Sequence, residues 1–204
     1  MRHWLAIAIA TALGFAWAAP ASAQMPSPFG TQKELSIEEQ PGYEPTAEEE
    51  SLDPIYKPQP VFFRTTEQPG TIVVVTSQRF LYLVQGNNRA IRYGIGVGRD
   101  GFQWAGLIKI TRKAEWPDWT PPAEMIQRQP YLPRWMAGGP GNPLGARAMY
   151  LGGTIYRIHG TNQPQTIGQV VPSGCFRLMN SDVIDLYDHT PVGTKVVVRQ
   201  APET

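Results

Sequence analysis

Two residues carry most of the chemistry this sequence offers. Cys175 is the only cysteine, and His159 is one of three histidines. A thiolate is the reactive form of cysteine, and a neighbouring imidazole can generate it at neutral pH. A lone cysteine is most often a small buried hydrophobe, yet three features point elsewhere. Ser173-Gly174-Cys175 follows Pro172 and comes shortly before a helical pattern. Glycine there lets the backbone pass close to a substrate, and adjacent N–H groups can converge on a developing oxyanion. His159 ends a strand candidate and leads into Gly160-Thr161-Asn162, whereas His189 sits at a helix end, where it complements the dipole. By elimination, a cysteine–histidine pair must be Cys175 with His159. Arg177 follows two residues after the cysteine, so on an extended segment both point the same way. A fixed guanidinium beside a nucleophile suits a substrate carboxylate.

The rest of the sequence must position these groups. In 61–100, β-branched runs and turn signals alternate. TIVVVT (71–76) and RFLYLV (79–84) are joined by Ser77-Gln78, and Gly86-Asn87-Asn88 turns the chain into a third strand over 90–97. These predict antiparallel hairpins. Further strands are expected at 107–111, 154–158 and 194–199. One helix is expected to start at Asn180 or Ser181, either of which can cap it. Val183, Ile184 and Tyr187 recur at helical spacing, and Pro191 and Gly193 end it. A shorter helix is expected over 123–128. The class is therefore mainly β with few helices. Between them, 113–145 is rich in Pro and Gly and holds Trp116, Trp119, Tyr131 and Trp135. Loops of this length inside a domain are usually functional, as lids or binding loops.

Residues 1–23 combine Arg2, an uncharged apolar run, Pro20 and Ala21-Ser22-Ala23, the pattern of a secretory signal peptide. The run is short for a membrane span, which needs roughly 20 apolar residues. The working protein is therefore expected outside the cytoplasm, in a periplasm or cell wall. A single cysteine cannot make an internal disulfide there. Residues 24–58 carry eight acids against Lys33 and Lys57 and few apolar groups, and are expected to be a disordered spacer. Residues 59–200 form the expected domain, with 201–204 a tail. From 59 onward there are nine acids and fifteen bases. That basic excess suits an anionic polymer such as a cell wall, but no run is dense enough for nucleic acid. One cysteine and two histidines without ligand spacing do not suggest a metal. Gly94-Ile-Gly96-Val-Gly98 lies within a strand with no helix after it, so a dinucleotide loop is not indicated.

The segment HGTNQPQTIGQVVPSGCFRLMNSDVIDLY (159–187) resembles the catalytic signature of the L,D-transpeptidases, the YkuD-type domain. The match extends through WPDWTPPAEM (116–125), NPLGARAMYL (142–151) and PVGTKVVV (191–198). The resemblance implies a β-sandwich-like catalytic domain with the cysteine in a cleft under a Trp- and Pro-rich capping loop. It implies that Cys175 attacks the bond before the terminal D-alanine of a peptidoglycan tetrapeptide stem and passes the acyl group to an amine. It makes His159 the base, the Gly160 carbonyl its orienting partner, and the Gly174 and Cys175 N–H groups the oxyanion hole. Ser173 is carried along as a further site residue. Arg177, Trp119, Tyr150 and Asn142 fall on the substrate side. No cofactor is implied. The partners are stem peptides, with a lipoprotein or outer-membrane protein among the conceivable acceptors. Many members read Ser-His-Gly-Cys where this chain reads Pro172-Ser173-Gly174-Cys175. A mechanism that needs a serine hydroxyl at the first of those places does not transfer.

Overall fold

The computed structural model describes residues 46–99, 104–171 and 176–202. The expected signal peptide, most of the acidic spacer and the segment 172–175 lie outside the described residues.

Among the described residues eleven strands run in the order β1 (Gln59–Phe62), β4 (Arg89–Gly94), β3 (Phe80–Gly86), β2 (Ile72–Val75), β11 (Lys195–Arg199), β6 (Gly106–Glu115), β7 (Arg147–Leu151), β8 (Arg157–His159), β10 (Phe176–Arg177), β5 (Gly96–Gly98) and β9 (Val170–Val171). The first hairpins form as the sequence predicts. β2 (Ile72–Val75), β3 (Phe80–Gly86) and β4 (Arg89–Gly94) pair antiparallel, with β1 (Gln59–Phe62) outside β4. The β3–β4 turn is made by Asn87 and Asn88 at φ 50° and 56°. That left-handed pair matches the twist of the hairpin it joins. β11 (Lys195–Arg199) returns from the C-terminal end to lie parallel to β2.

β6 (Gly106–Glu115) is the hinge of the architecture. Its first half pairs with β11 and its second half with β7 (Arg147–Leu151), across an irregularity between Ile110 and Arg112. The chain thus passes from one half-sheet to the other. The second half-sheet continues through β8 (Arg157–His159), β10 (Phe176–Arg177), β5 (Gly96–Gly98) and β9 (Val170–Val171). Three pairings are parallel: β11 with β2, β8 with β10, and β5 with β9.

One hydrophobic core joins both halves. Ile72, Leu81 and Val196 meet Met149, Ile158 and Phe176, and Val183 and Leu186 of the helix Asn180–His189 seal it. A second, smaller cluster of Val73, Val75, Tyr82, Val84 and Ala90 covers the other face of the first half-sheet. The α-helices with described bounds include α1 (Ala47–Glu50), α2 (Ala123–Arg128) and α3 (Asn180–His189). α2 and the body of α3 lie where the periodicity places them. β8 starts three residues later than expected, because Thr154 is spent on a turn, its hydroxyl bonding the Leu151 carbonyl at 2.6 Å.

Two further expectations change. Residues 46–58 are structured. Thr46 and Glu49 form a capping box, and Glu49 is buried at 6% exposure. Tyr56 packs so closely on Gly94 and Gly168 that a Cβ at either position would overlap it. Composition averages over a window, whereas here one capping pair and one aromatic suffice to dock the chain. The α3 cap also differs. Met179 is the N-cap without a side-chain bond, and the Glu49 carboxylate accepts instead from the Asn180 N–H at 3.2 Å. An anion at a helix N-terminus is favourable wherever it comes from in the sequence.

Candidate active site

Alternation along β8 sorts the site. Ile158 is fully buried in the core, so Arg157 and His159 share the opposite face. On the parallel neighbour β10, Phe176 pairs with Ile158 and enters the core, and Arg177 pairs with His159. On β7, Ala148 stands beside His159 and Tyr150 beside Arg157. This outward face carries Arg157, His159 and Arg177 together.

The loop between β6 and β7 folds back over that face. Trp116 N–H donates to the Ala146 carbonyl at 2.8 Å, closing the loop base. Trp119 and Met136 exchange two backbone bonds of 2.8 and 2.9 Å. The Asp118 carboxylate accepts from Gly138 N–H at 2.7 Å, and Gly138 presses on the Trp116 carbonyl so closely that any side chain there would clash. The result is an ordered cap with α2 inside it. Under it lies a cleft of about 220 Å³. Trp119, Met125 and Leu132 line it from the cap, and Arg157, His159 and Arg177 from the sheet.

His159 is buried at 4% exposure, and its Nδ1 lies 2.6 Å from the Gly160 carbonyl oxygen. A carbonyl only accepts, so Nδ1 carries the proton and Nε2 keeps its lone pair. Burial pushes the imidazole pKa down to about 3, and the Arg177 and Arg157 guanidinium groups add to the shift against the Gly160 bond. The ring is neutral throughout the physiological range, which is the form that takes a proton.

Asn180 is the organiser that sequence reasoning used only as a helix cap. Its Oδ1 accepts from Ala146 N–H at 2.9 Å and from Thr161 N–H at 3.2 Å, and its Nδ2 donates to the Thr161 carbonyl at 2.8 Å. Side chains at Gly145 or Gly160 would run into that Oδ1. One buried amide thus ties the loop base to the turn that follows His159. The available signal was an Asn at the start of a helix beside two glycines that leave room for it.

The other expected residues divide. Trp119 and Arg177 line the cleft, and Arg177 also donates to Gln163 Oε1 at 3.4 Å. Asn142 does not line it. Its amide donates to the Met136 and Ala137 carbonyls and accepts from Leu144 N–H, so it shapes the cap from within. Tyr150 lies beside the cleft, with the Arg112 guanidinium 3.5 Å from its ring centroid. His189 is exposed on α3, its Nδ1 facing the Asp185 carbonyl oxygen at 2.8 Å. Cys175, Gly174 and Ser173 lie outside the described residues. Among the described residues no group of three or more His, Cys, Asp or Glu side chains is arranged to hold a metal ion.

Comparison with known proteins agrees with this geometry. The probable L,D-transpeptidase ErfK/SrfK of Escherichia coli strain K12 is 37% identical over 153 residues, covering 71% of this chain and 48% of that protein. A putative L,D-transpeptidase encoded in the ATP synthase subunits region of Fuscovulum blasticum is 32% identical over 97% of this chain and 96% of its own length. A crystal structure from Brucella melitensis, named as a probable carnitine operon oxidoreductase, is 52% identical over 73% of this chain and 97% of its own, with a TM-score of 0.50. That name stands apart from those of the other relatives. The chain spans about half the length of the first curated relatives it matches. Residues 69–198 match the model of the L,D-transpeptidase catalytic domain, YkuD, and the chain belongs to that family.

Proposed function

We propose that this chain is a cysteine acyltransferase of peptidoglycan stem peptides, with Cys175 as nucleophile and His159 as base. The observation that carries the reading is the fixed imidazole: Nδ1 held by the Gly160 carbonyl, which leaves Nε2 as the proton acceptor, in a capped cleft beside β10. β10 begins at the residue after Cys175. The ladder partner of Phe176 is Ile158, the residue before His159.

His159 Nε2 takes the thiol proton as sulfur attacks the carbonyl before the terminal D-alanine. The N–H groups of Gly174 and Cys175 receive the oxyanion, with Ser173 a further residue of the site. Collapse breaks the C–N bond, and His159 returns the proton to the leaving amine. An amine of a second substrate then attacks the thioester, gives its proton to His159, and releases the thiol. Arg177 receives the terminal carboxylate. The ordered cap shields the thioester from water, the competitor of the amine.

The reading includes export through cleavage after residue 23 to a periplasm or cell wall, and a role in wall biogenesis and cell shape. Among the described residues no helix is long and apolar enough to cross a membrane. The acceptor is a second stem or a wall-linked protein such as a lipoprotein. The alternative, an L,D-carboxypeptidase, shares every step up to the thioester.

The test incubates the purified chain with a disaccharide-tetrapeptide, beside a Cys175→Ala control, and reads products by mass spectrometry. A dimer lighter by one D-alanine, absent from the control, is expected. A tripeptide monomer alone would move the protein to the carboxypeptidase class. No change in either sample would overturn the acyltransferase reading.

A further inference from the structure

Glu49 lies upstream of residues 69–198, the part matched by the family model, yet it is buried in this fold. Its conformation is set locally. Its backbone N–H donates to Thr46 Oγ1 at 3.3 Å, and its Oε2 accepts from the Thr46 N–H at 3.0 Å. That reciprocal pair leaves Oε1 for another donor. The donor is the Asn180 N–H, 3.2 Å away and 131 residues later in the chain. The segment around Glu49 is fastened to the body on either side. α1 packs against the 3-10 turn Pro164–Thr166, and Tyr56 covers Gly94 and Gly168.

Asn180 leads from there to the base. Leu178, two residues earlier, donates its N–H to the His159 carbonyl at 2.8 Å. Asn180 itself holds both backbone groups of Thr161. The residues before and after Gly160 are therefore both tied to 178–180. Gly160 lies against Asn180 Oδ1 with no room for a side chain. The Gly160 carbonyl is the group that keeps the proton on His159 Nδ1. Met179, the N-cap of α3, offers no side-chain bond, and the Glu49 carboxylate takes that place. Glu49 does not line the substrate cleft. It lines a separate cavity of about 190 Å³ with Glu50, Lys57, Ser181 and Asp182. Any effect it has on the reaction must therefore pass through Asn180.

We propose that Glu49 is a positioning residue: by holding Asn180 it keeps the Gly160 carbonyl aimed at His159, and the segment 46–58 is thereby a working part of the site. This rests on the acyltransferase reading for the role of His159. A base displaced from its orienting group loses rate rather than substrate affinity, because the loss falls on the proton transfer.

The experiment compares the parent chain with Glu49→Ala and Glu49→Gln. Two quantities are read: kcat and KM on a disaccharide-tetrapeptide, and the tautomer of His159 from its ring nitrogen shifts in histidine-labelled protein by NMR. The parent should show the Nδ1–H form. In Glu49→Ala we expect kcat to fall at least fivefold with KM held within twofold, and the His159 ring to become a mixture of both neutral forms. Glu49→Gln keeps an oxygen for the Asn180 N–H, so it should restore kcat to within twofold of the parent and restore the single tautomer. A lower Tm with kcat and tautomer unchanged would leave Glu49 a purely structural residue and overturn the proposal. So would a loss confined to KM, a fall in kcat without the tautomer change, or a Glu49→Gln protein as impaired as Glu49→Ala. Should Glu49→Ala not fold, Glu49→Asp carries the test, because it keeps the charge and withdraws the carboxylate by one methylene. It should lower kcat at least threefold and mix the tautomers, and a protein unchanged in both overturns the proposal. A parent chain that turns over no donor defeats the acyltransferase reading, while a tautomer change in Glu49→Ala would still uphold the hold of Glu49 on the imidazole.

Discussion

Asn180 and Thr161 are joined twice. The Thr161 N–H donates to Asn180 Oδ1 at 3.2 Å, and Asn180 Nδ2 donates to the Thr161 carbonyl at 2.8 Å. Both residues are buried, and Thr161 stands two residues after His159. Asn180→Ala would strand two backbone N–H groups and one carbonyl away from water. Each unmade bond of this kind costs about 1–3 kcal/mol. We expect a loss of about 3 kcal/mol in urea denaturation with an unchanged slope, together with lower kcat. Asn180→Asp keeps the acceptor but faces an oxygen toward the Thr161 carbonyl, so it should not restore stability at neutral pH. A variant Asn180→Ala of unaltered stability would remove Asn180 from its organising place.

The two body histidines should separate cleanly. His159→Ala removes the imidazole that lines the cleft and should lower kcat/KM by about 10²–10⁴-fold, the usual contribution of a positioned base. His189 is exposed at the far end of α3, so His189→Ala should stay within about twofold of the parent. Steady-state kinetics on folded variants decides the matter, and a large loss at His189 would mean that the wrong imidazole has been chosen.

Stability should respond to pH in two opposed windows. His159 titrates near 6.5 unfolded and about 3 folded. The unfolded chain therefore binds the extra proton between those values, and the His159 contribution is fully present above pH 6.5 and lost as pH falls toward 3. Asp182 is the reverse. Burial raises its carboxyl from 3.8 to about 7, with Asp185 and Glu49 adding to the rise and the Ser181 hydroxyl bond opposing it. Its contribution is fully present below pH 3.8 and lost as pH rises through 7. Asp182→Asn should therefore raise Tm at pH 8 relative to its effect at pH 4, because it removes a buried carboxylate whose Oδ2 has no partner. Melting curves across this range test the sign, and a Tm gain confined to low pH would contradict it.

Trp119 is 8% exposed and lines the cleft from the cap. Trp119→Ala should cost about 3–5 kcal/mol through the cavity it leaves, and should admit water to the thioester. The ratio of transfer to hydrolysis is expected to fall at least threefold at fixed amine concentration. An unchanged ratio in the folded variant would deny the cap its water-excluding role.

A carbapenem offers an independent check of the nucleophile, since that drug class mimics the acyl donor of this family. Intact-mass measurement should find one adduct on the parent chain and none on Cys175→Ala. An unmodified parent would count against the family mechanism in this chain.

Local signals made much of this molecule legible in the sequence. The β-branched runs, the Asn87-Asn88 turn and the period of Val183, Ile184 and Tyr187 are encoded within a few residues of where they act. So are the helix over 123–128 and the reach of the Trp-rich loop. The placing of His159 at a strand end and His189 at a helix end is likewise local. Such features depend on backbone propensity and on which face of an element is apolar, and both are functions of neighbours in the chain.

What the tertiary structure alone decided depends on residues far apart. No local pattern announces that β11 lies parallel to β2 beside the half-shared β6, or that Glu49 caps a helix beginning 131 residues later. The acidic spacer read as disordered because its average composition is poor, and Thr46, Glu49 and Tyr56 escape that average by finding partners in the body. Asn142 and Asn180 are the same residue type in adjacent functional motifs, yet one braces the cap internally and the other braces the turn beyond His159. A side-chain amide has several bonds to give, and only the folded backbone determines which donors and acceptors come within about 3 Å of it.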